Sequence, residues 1–209
     1  MIKIRMIWKK KKLRKYIKTI KGENVGYSKS GSYYGLGGKS RTIEWETPPE
    51  VFNKLNKEFK FNLDPCTTKR IAKCKRYFTK KEDGLKQNWK GKVFMNPPYG
   101  RGIENWVRKA WTEVKKGNAQ VVACLIPVRG GNDWFSIYSK YGELRFIRRR
   151  IAFGLNGVFS TGPFNSMLLI FRKGWIGHGR FCCWDWDIGV IKNIKDTEKL
   201  KRIRKRGVK

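Results

Sequence analysis

The chain has 209 residues, a length that suits one α/β domain with flanking tails. Its 49 lysine and arginine residues against 16 aspartate and glutamate residues give a net charge of +33, which indicates a polyanionic partner and favours nucleic acid. Since no long apolar run, secretory signal or zinc-type spacing of its one histidine and five cysteines is present, we expect no membrane contact, no secretion and no metal.

The amino-terminal segment is basic and is followed by a stretch rich in glycine and serine, residues 28–38. This composition predicts an arm over residues 1–41 with a flexible linker, and its four consecutive lysines are candidates for phosphate contacts. These are Lys9, Lys10, Lys11 and Lys12. A second basic segment predicts a tail over residues 191–209, so that the α/β domain occupies residues 42–190.

A helix start is predicted at Thr47, Pro48 and Pro49. Threonine is able to cap a helix through its hydroxyl, and proline is tolerated in the first turn. In that helix, apolar residues at positions 51, 52 and 55 would face the core.

Short apolar runs that alternate with helical patterns are typical of a mostly parallel sheet with helices packed against it. The predicted strands are Phe61–Leu63, Val93–Met95, Val121–Ile126, Leu144–Ile147 and Met167–Phe171. The clearest helix follows the second strand, because apolar residues recur at intervals of three and four from Ile103 to Val114.

The sharpest motif is Asn96-Pro97-Pro98-Tyr99, which directly follows the predicted strand Val93–Met95. It is therefore expected at the carboxyl end of a strand, where α/β sheets bind their ligands. If the Asn96 side-chain oxygen and the Pro97 carbonyl each accept an N–H of an adenine amino group, the lone pair of its nitrogen becomes available for attack. The consecutive prolines fix the loop backbone, and Tyr99 offers a flat face to a flipped base.

The order of these motifs along the chain resembles the phage-type DNA adenine-N6 methyltransferase family. The resemblance covers roughly residues 44–173. It rests on Trp45-Glu46-Thr47-Pro48, Phe61-Asn62-Leu63-Asp64-Pro65-Cys66, Asp83-Gly84-Leu85, Trp89 and Asn96-Pro97-Pro98-Tyr99, with further matches at 124–127, 146–153 and 163–166.

The resemblance implies an α/β protein with the Rossmann-like class I S-adenosylmethionine-dependent methyltransferase fold, a mostly parallel central sheet flanked by helices. It implies S-adenosylmethionine as cofactor and a flipped adenine of double-stranded DNA as substrate, in the cytoplasm of a prokaryotic or phage-infected cell. The motif from Asn96 to Tyr99 would be catalytic. The cofactor would contact Thr47, Pro48, Asp64, Pro65, Cys66 and Asp83.

This sequence departs from the family pattern at two positions. Asp64-Pro65-Cys66-Thr67-Thr68 stands where many methyltransferases have a glycine-rich turn. Arg148, Arg149 and Arg150 stand near a position where the family commonly has glycine. This arginine cluster is a candidate for DNA phosphate contacts, and a charged strand end open to water is the alternative.

Two other functions fit the same sequence. The basic charge suits RNA as well as DNA, so an RNA amino-group methyltransferase is one alternative. The other is a non-enzymatic, basic DNA-binding protein on a degenerate methyltransferase fold, against which the intact Asn96-to-Tyr99 motif argues.

Overall fold

A computed structural model describes residues 45–155, 157–175, 180–191, 199 and 202–203. All of these belong to residues 42–209, the second of two units into which the chain divides. The predicted amino-terminal arm with Lys9, Lys10, Lys11 and Lys12, and most of the predicted tail, lie outside the described residues. Among the residues described, no helix is both long and apolar enough to cross a membrane.

The described residues form three helices and ten strands. The helices are α1 (Pro49–Phe59), α2 (Ile103–Lys115) and α3 (Asp133–Tyr138), the last continued by a 3-10 turn at Ser139–Tyr141. The strands are β1 (Leu63–Asp64), β2 (Arg76–Tyr77), β3 (Gly91–Met95), β4 (Ala119–Pro127), β5 (Glu143–Ile147), β6 (Ala152–Leu155), β7 (Val158–Thr161), β8 (Ser166–Arg172), β9 (Arg180–Asp185) and β10 (Gly189–Ile191).

Eight of the strands form one sheet in the order β10-β9-β5-β8-β4-β3-β1-β2, and β6 and β7 form a separate hairpin. Strands β2, β1, β3 and β4 pair in parallel, as do β5 and β9. Strand β8 runs antiparallel between β4 and β5, and β10 runs antiparallel to β9. The protein is thus of the α/β class, with a large, mostly parallel sheet and few helices, and this part of the prediction is confirmed.

Four of the five predicted strands lie inside strands of the structure, namely β3, β4, β5 and β8. The prediction of a strand over Phe61–Leu63 is wrong in its bounds, because β1 comprises Leu63 and Asp64. The N–H of Phe61 donates to the side-chain oxygen of Asn56 at 2.8 Å instead of to a neighbouring strand. Helix α1 therefore hydrogen-bonds to Phe61, two residues before β1 begins.

Helix α1 begins at Pro49, as predicted, and buries Val51, Phe52 and Leu55. The prediction that Thr47 caps this helix is wrong. The residue before the helix is Pro48, and no side chain caps the first turn. The hydroxyl of Thr47 has a different partner, described below.

Helix α2 confirms the predicted apolar stripe. Its buried residues include Ile103, Val107, Ala110 and Val114. These follow one another at intervals of four, three and four residues, which brings them to one face of the helix. Helix α2 connects the end of β3 to the start of β4, so the loop that begins it starts at the predicted catalytic motif.

Candidate active site

The loops that follow β1, β2 and β3 enclose a cavity of about 550 Å³. Because these three strands are parallel and adjacent, their carboxyl ends meet at the same edge of the sheet. This is the edge at which α/β proteins bind ligands. The lining residues are Trp45, Pro65, Cys66, Thr67, Thr68, Ile71, Thr79, Lys80, Lys81, Asp83, Gly84, Lys86, Asn96, Pro98 and Trp106.

Asn96 lies directly after β3, and its side chain has a fixed orientation. Its Nδ2 donates to the main-chain carbonyl of Trp45 and, at 3.0 Å, to Oγ1 of Thr47. Because a carbonyl oxygen only accepts, the Trp45 contact decides which end of the amide carries the nitrogen. Thr47 and Pro48 are buried, and neither lines the cavity. Their predicted contact with the methionine part of the cofactor stays a prediction.

The side-chain oxygen of Asn96 is buried and has no hydrogen-bond partner among the described residues. A buried acceptor without a donor costs about 1–3 kcal/mol, and such groups in folded proteins are rare. Asn96 is among the residues that line the cavity, so this unpaired oxygen belongs to the wall of the space that a ligand would occupy.

The two prolines after Asn96 have different environments. Pro97 is buried, and within the described part of the chain no group donates to its carbonyl. Pro98 lines the cavity, and its carbonyl accepts the N–H of Gly100 at 3.1 Å. Two consecutive residues, Asn96 and Pro97, thus each have an oxygen that accepts no hydrogen bond from the described residues.

Tyr99 is buried, with 8% of its surface exposed. Its hydroxyl donates to the carbonyl of Leu125 at 3.2 Å, and burial raises the pKa of this hydroxyl well above its usual value. Its ring meets Phe153 and Phe164 edge-on, with centroids 5.9 and 5.2 Å away. The predicted stacking of a flipped base on this ring stays a prediction.

Asp64 ends β1 and is 3% exposed. Burial raises the pKa of its carboxyl to about 6, although backbone N–H groups of Lys73 and Cys66 donate to it and lower the pKa. Burial of the Cys66 thiol and, second, the negative charge of Asp64 raise the pKa of that thiol. Pro65 and Cys66 line the cavity, so the loop predicted to pass beside the cofactor is part of the cavity wall.

Asp83 and Gly84 also line the cavity, from the loop after β2. Asp83 has a positive φ of 52°, and its carboxylate accepts the N–H of Leu85 at 3.3 Å. A Cβ atom on Gly84 would lie 1.9 Å from the carbonyl oxygen of Pro65, so only glycine allows this approach. The Gly84 carbonyl also accepts the indole N–H of Trp89 at 2.8 Å. The Asp83-Gly84 motif therefore joins two loops of the cavity.

The three arginines after β5 differ in their surroundings. Arg148 and Arg150 are exposed. Arg149 donates to the carboxylates of Asp185 at 2.9 Å and Asp187 at 2.7 Å, and its guanidinium carbon lies 3.8 Å from the ring centroid of Trp186. The guanidinium of Arg149 is thus engaged inside the protein. A phosphate contact by Arg148 and Arg150 stays a prediction.

Sequence reasoning missed three kinds of site residue. Trp106 lies in the apolar stripe of α2, and this pattern indicates core packing, yet its side chain also lines the cavity. Lys80 and Lys81 line it from an exposed loop, where lysines give no signal of a site. Trp45 contributes a main-chain carbonyl, which its residue type does not reveal.

The chain is similar in sequence to known methyltransferases. A family model described as DNA N-6-adenine-methyltransferase (Dam) matches residues 38–201. The chain is 33% identical over 102 residues to a protein of Haemophilus phage HP1 named "DNA N-6-adenine-methyltransferase", an alignment that spans 47% of this chain and 58% of that protein. It is 38% identical over 64 residues to "Putative methyltransferase YfdM" of Escherichia coli K12, spanning 27% of this chain and 70% of that protein.

Proposed function

Because this chain belongs to the DNA N-6-adenine-methyltransferase (Dam) family, we propose that it transfers a methyl group to the exocyclic amino group of adenine in DNA. The observation that carries the proposal is the unpaired, buried side-chain oxygen of Asn96 at the wall of the cavity. An amino group is the kind of donor that this acceptor lacks.

Each residue of the motif has its own proposed role. Asn96 Oδ1 and the Pro97 carbonyl accept the two amino hydrogens, which draws the nitrogen toward tetrahedral geometry and frees its lone pair. Both acceptors are fixed before the substrate arrives, Asn96 by its Nδ2 contacts and Pro97 by its ring. The amino group of a stacked base pair cannot reach a cavity at the sheet edge, so the adenine is flipped out. Tyr99 and Pro98 then contact the flipped base.

The proposed methyl donor is S-adenosylmethionine, which when bound supplies an electrophilic methyl group on a positively charged sulfur. The cavity volume of about 550 Å³ lies within the usual range of cofactor sites. Trp45, Ile71 and Trp106 give it apolar walls, while Asp83 offers a carboxylate to the hydroxyls of a ribose. Pro65 and Cys66 would hold the cofactor from the side of β1.

We further propose that the sheet is that of a Rossmann-like class I methyltransferase flanked by helices. The site at the carboxyl ends of parallel strands supports this assignment. In direct transfer, a carbon–sulfur bond of the cofactor would break as the carbon–nitrogen bond forms, which would leave a neutral thioether and release one amino proton to solvent. Holding the two groups in line contributes much of the rate acceleration.

The test is incubation of the protein with labelled S-adenosylmethionine and DNA, followed by nucleoside analysis. We expect N6-methyladenine from the wild type, and at least about a 100-fold slower reaction from Asn96→Ala with cofactor binding retained. Asn105→Ala, which removes an exposed asparagine amide on α2, is the matched control and should keep full activity. Full activity of Asn96→Ala would remove the catalytic proposal.

The two alternative functions give different outcomes in the same experiment. Methylation of RNA and not of DNA would identify an RNA amino-group methyltransferase. DNA binding without any methyl transfer would identify a non-enzymatic DNA-binding protein.

We propose that residues 1–41 form a DNA-binding arm in which Lys9 to Lys12 contact phosphates. Deletion of residues 1–40 should weaken DNA binding and make it less dependent on salt, while the rate at saturating DNA stays the same. Each phosphate contact contributes a slope of about −0.9 in log affinity against log salt, so the loss of several contacts is measurable. An unchanged salt slope would contradict this role.

A further inference from the structure

A second cavity, of about 450 Å³, lies at the edge of the sheet opposite the candidate active site. It is enclosed by the end of α2, by Tyr141 shortly before β5, and by the end of β8 together with the turn that follows it. Strand β4, which spans nine residues between the two edges of the sheet, is about 26 Å long at about 3.3 Å per residue, so the two cavities are separate. We call this second cavity the basic-aromatic cavity.

The basic-aromatic cavity combines positive charge with aromatic rings. Lys115, Lys116 and Lys173 line it and are exposed. A fourth cation, Arg172, is engaged with the carboxylate of Glu143 at 3.1 Å. No acidic side chain is among the described residues that line it.

Two aromatic side chains form a platform in this cavity, and the ammonium group of Lys140 lies 5.2 Å from the centroid of the Tyr141 ring. The rings of Trp111 and Tyr141 have centroids 5.3 Å apart and planes inclined by 33°. The ammonium group of Lys115 lies 4.7 Å from the centroid of the Trp111 ring. Tyr141 keeps 43% of its surface exposed, so a ligand has access to its ring.

We propose that the basic-aromatic cavity is a second nucleic-acid site, which binds one unpaired nucleotide of a single strand. The base packs against the exposed side chain of Tyr141, while the lysines bind the phosphates beside it. Proteins hold single strands in this way, with a basic groove for the backbone and aromatic rings for the bases. The complementarity of charge favours a polyanion, and the rings favour one that carries flat bases. This inference does not depend on methyl transfer.

The test measures binding of the full chain to a fluorescent 12-mer of deoxythymidine by anisotropy. The variant K115A/K116A/K173A should bind at least about tenfold more weakly, with a smaller salt slope, since each phosphate contact on a single strand contributes about 0.7. The control K57A/K75A/K90A removes the same charge at exposed positions that line neither cavity, and its affinity should change less than about threefold. Equal losses in both triple variants, or no loss, would overturn the proposal.

A second variant tests the aromatic part. Tyr141→Leu should reduce the preference of the protein for the 12-mer over an abasic strand of equal length by at least about fivefold. An unchanged preference would overturn the assignment of the base to this platform. Binding of thymidine monophosphate as tight as that of the 12-mer would overturn the assignment of a strand and indicate a free nucleotide instead. Circular dichroism of each variant checks that it is folded.

Discussion

Replacing Thr47 by valine tests how the side chain of Asn96 is oriented. Valine has nearly the shape of threonine but no acceptor, so one of the two hydrogen bonds from Asn96 Nδ2 is lost. The other bond, to the Trp45 carbonyl, remains. Since Thr47 is 2% exposed, water cannot replace its hydroxyl, and we expect the free energy of unfolding to fall by about 1–2 kcal/mol.

The same change should slow methyl transfer. With one of its two contacts gone, the Asn96 amide is held less firmly, and we expect kcat to fall about tenfold, equivalent to about 1.4 kcal/mol of transition-state stabilisation. Thr47→Ser keeps the hydroxyl and is the matched control. The measurements are kcat at saturating DNA and S-adenosylmethionine, and the cofactor dissociation constant by calorimetry.

Two results would refute this reasoning. A higher cofactor dissociation constant with unchanged kcat would show that Thr47 contacts the cofactor and does not orient Asn96. A fall of kcat in Thr47→Ser but not in Thr47→Val would show that the packing of the methyl group matters and the hydroxyl does not.

Three further predictions concern stability and can be checked by denaturant unfolding. Gly84→Ala should destabilise the protein and weaken cofactor binding, because its Cβ would lie 1.9 Å from the Pro65 carbonyl oxygen. The raised pKa of Asp64, about 6 against 3.8, should lower the free energy of unfolding by up to about 3 kcal/mol as the pH rises from about 4 to about 6, a change absent in Asp64→Asn. Arg149→Ala should cost about 2–4 kcal/mol, since it removes the guanidinium from the buried Asp185, whereas Arg148→Ala should change stability little.

The sequence predicted the strands that are buried on both faces. Val121–Ile126 and Met167–Phe171 are continuous apolar runs, and both lie in the centre of the sheet. Strands such as β7, all of whose residues are exposed, were not predicted, because nothing in their composition requires burial. The insertion of β8 between β4 and β5 depends on contacts far apart in the chain, which local patterns do not encode.

Strand β5 shows that the charge of a residue does not decide whether its side chain is buried. Its apolar residues Leu144 and Phe146 are only half-buried, whereas Arg145 between them is 3% exposed. Arg145 donates to Glu143 and, 87 residues earlier in the chain, to Glu58, in each case at 2.6 Å. Burial of an arginine depends on such partners, and the distant one is visible only in the folded protein.

In the candidate site, the sequence predicted the strand-end motif and the loops after β1 and β2, because their residue types are chemically distinctive. It did not predict that Thr47 contacts Asn96. The threonine precedes two prolines, a pattern that favours a helix cap, and its true partner lies 49 residues away. The distinctive residues were thus identified, whereas the contact that orients one of them was not.

The fixed amide of Asn96 determines which of its two polar atoms is available to a ligand. The Trp45 carbonyl can only accept a hydrogen bond, so the Asn96 amide nitrogen must face it. The amide therefore cannot rotate by half a turn to present its nitrogen to the cavity. Hypoxanthine has the ring outline of adenine with an oxygen in place of the amino group, so it would bring one oxygen against another with no proton between them. The cavity would therefore exclude deaminated adenine by repulsion, without needing any contact that recognises the lesion.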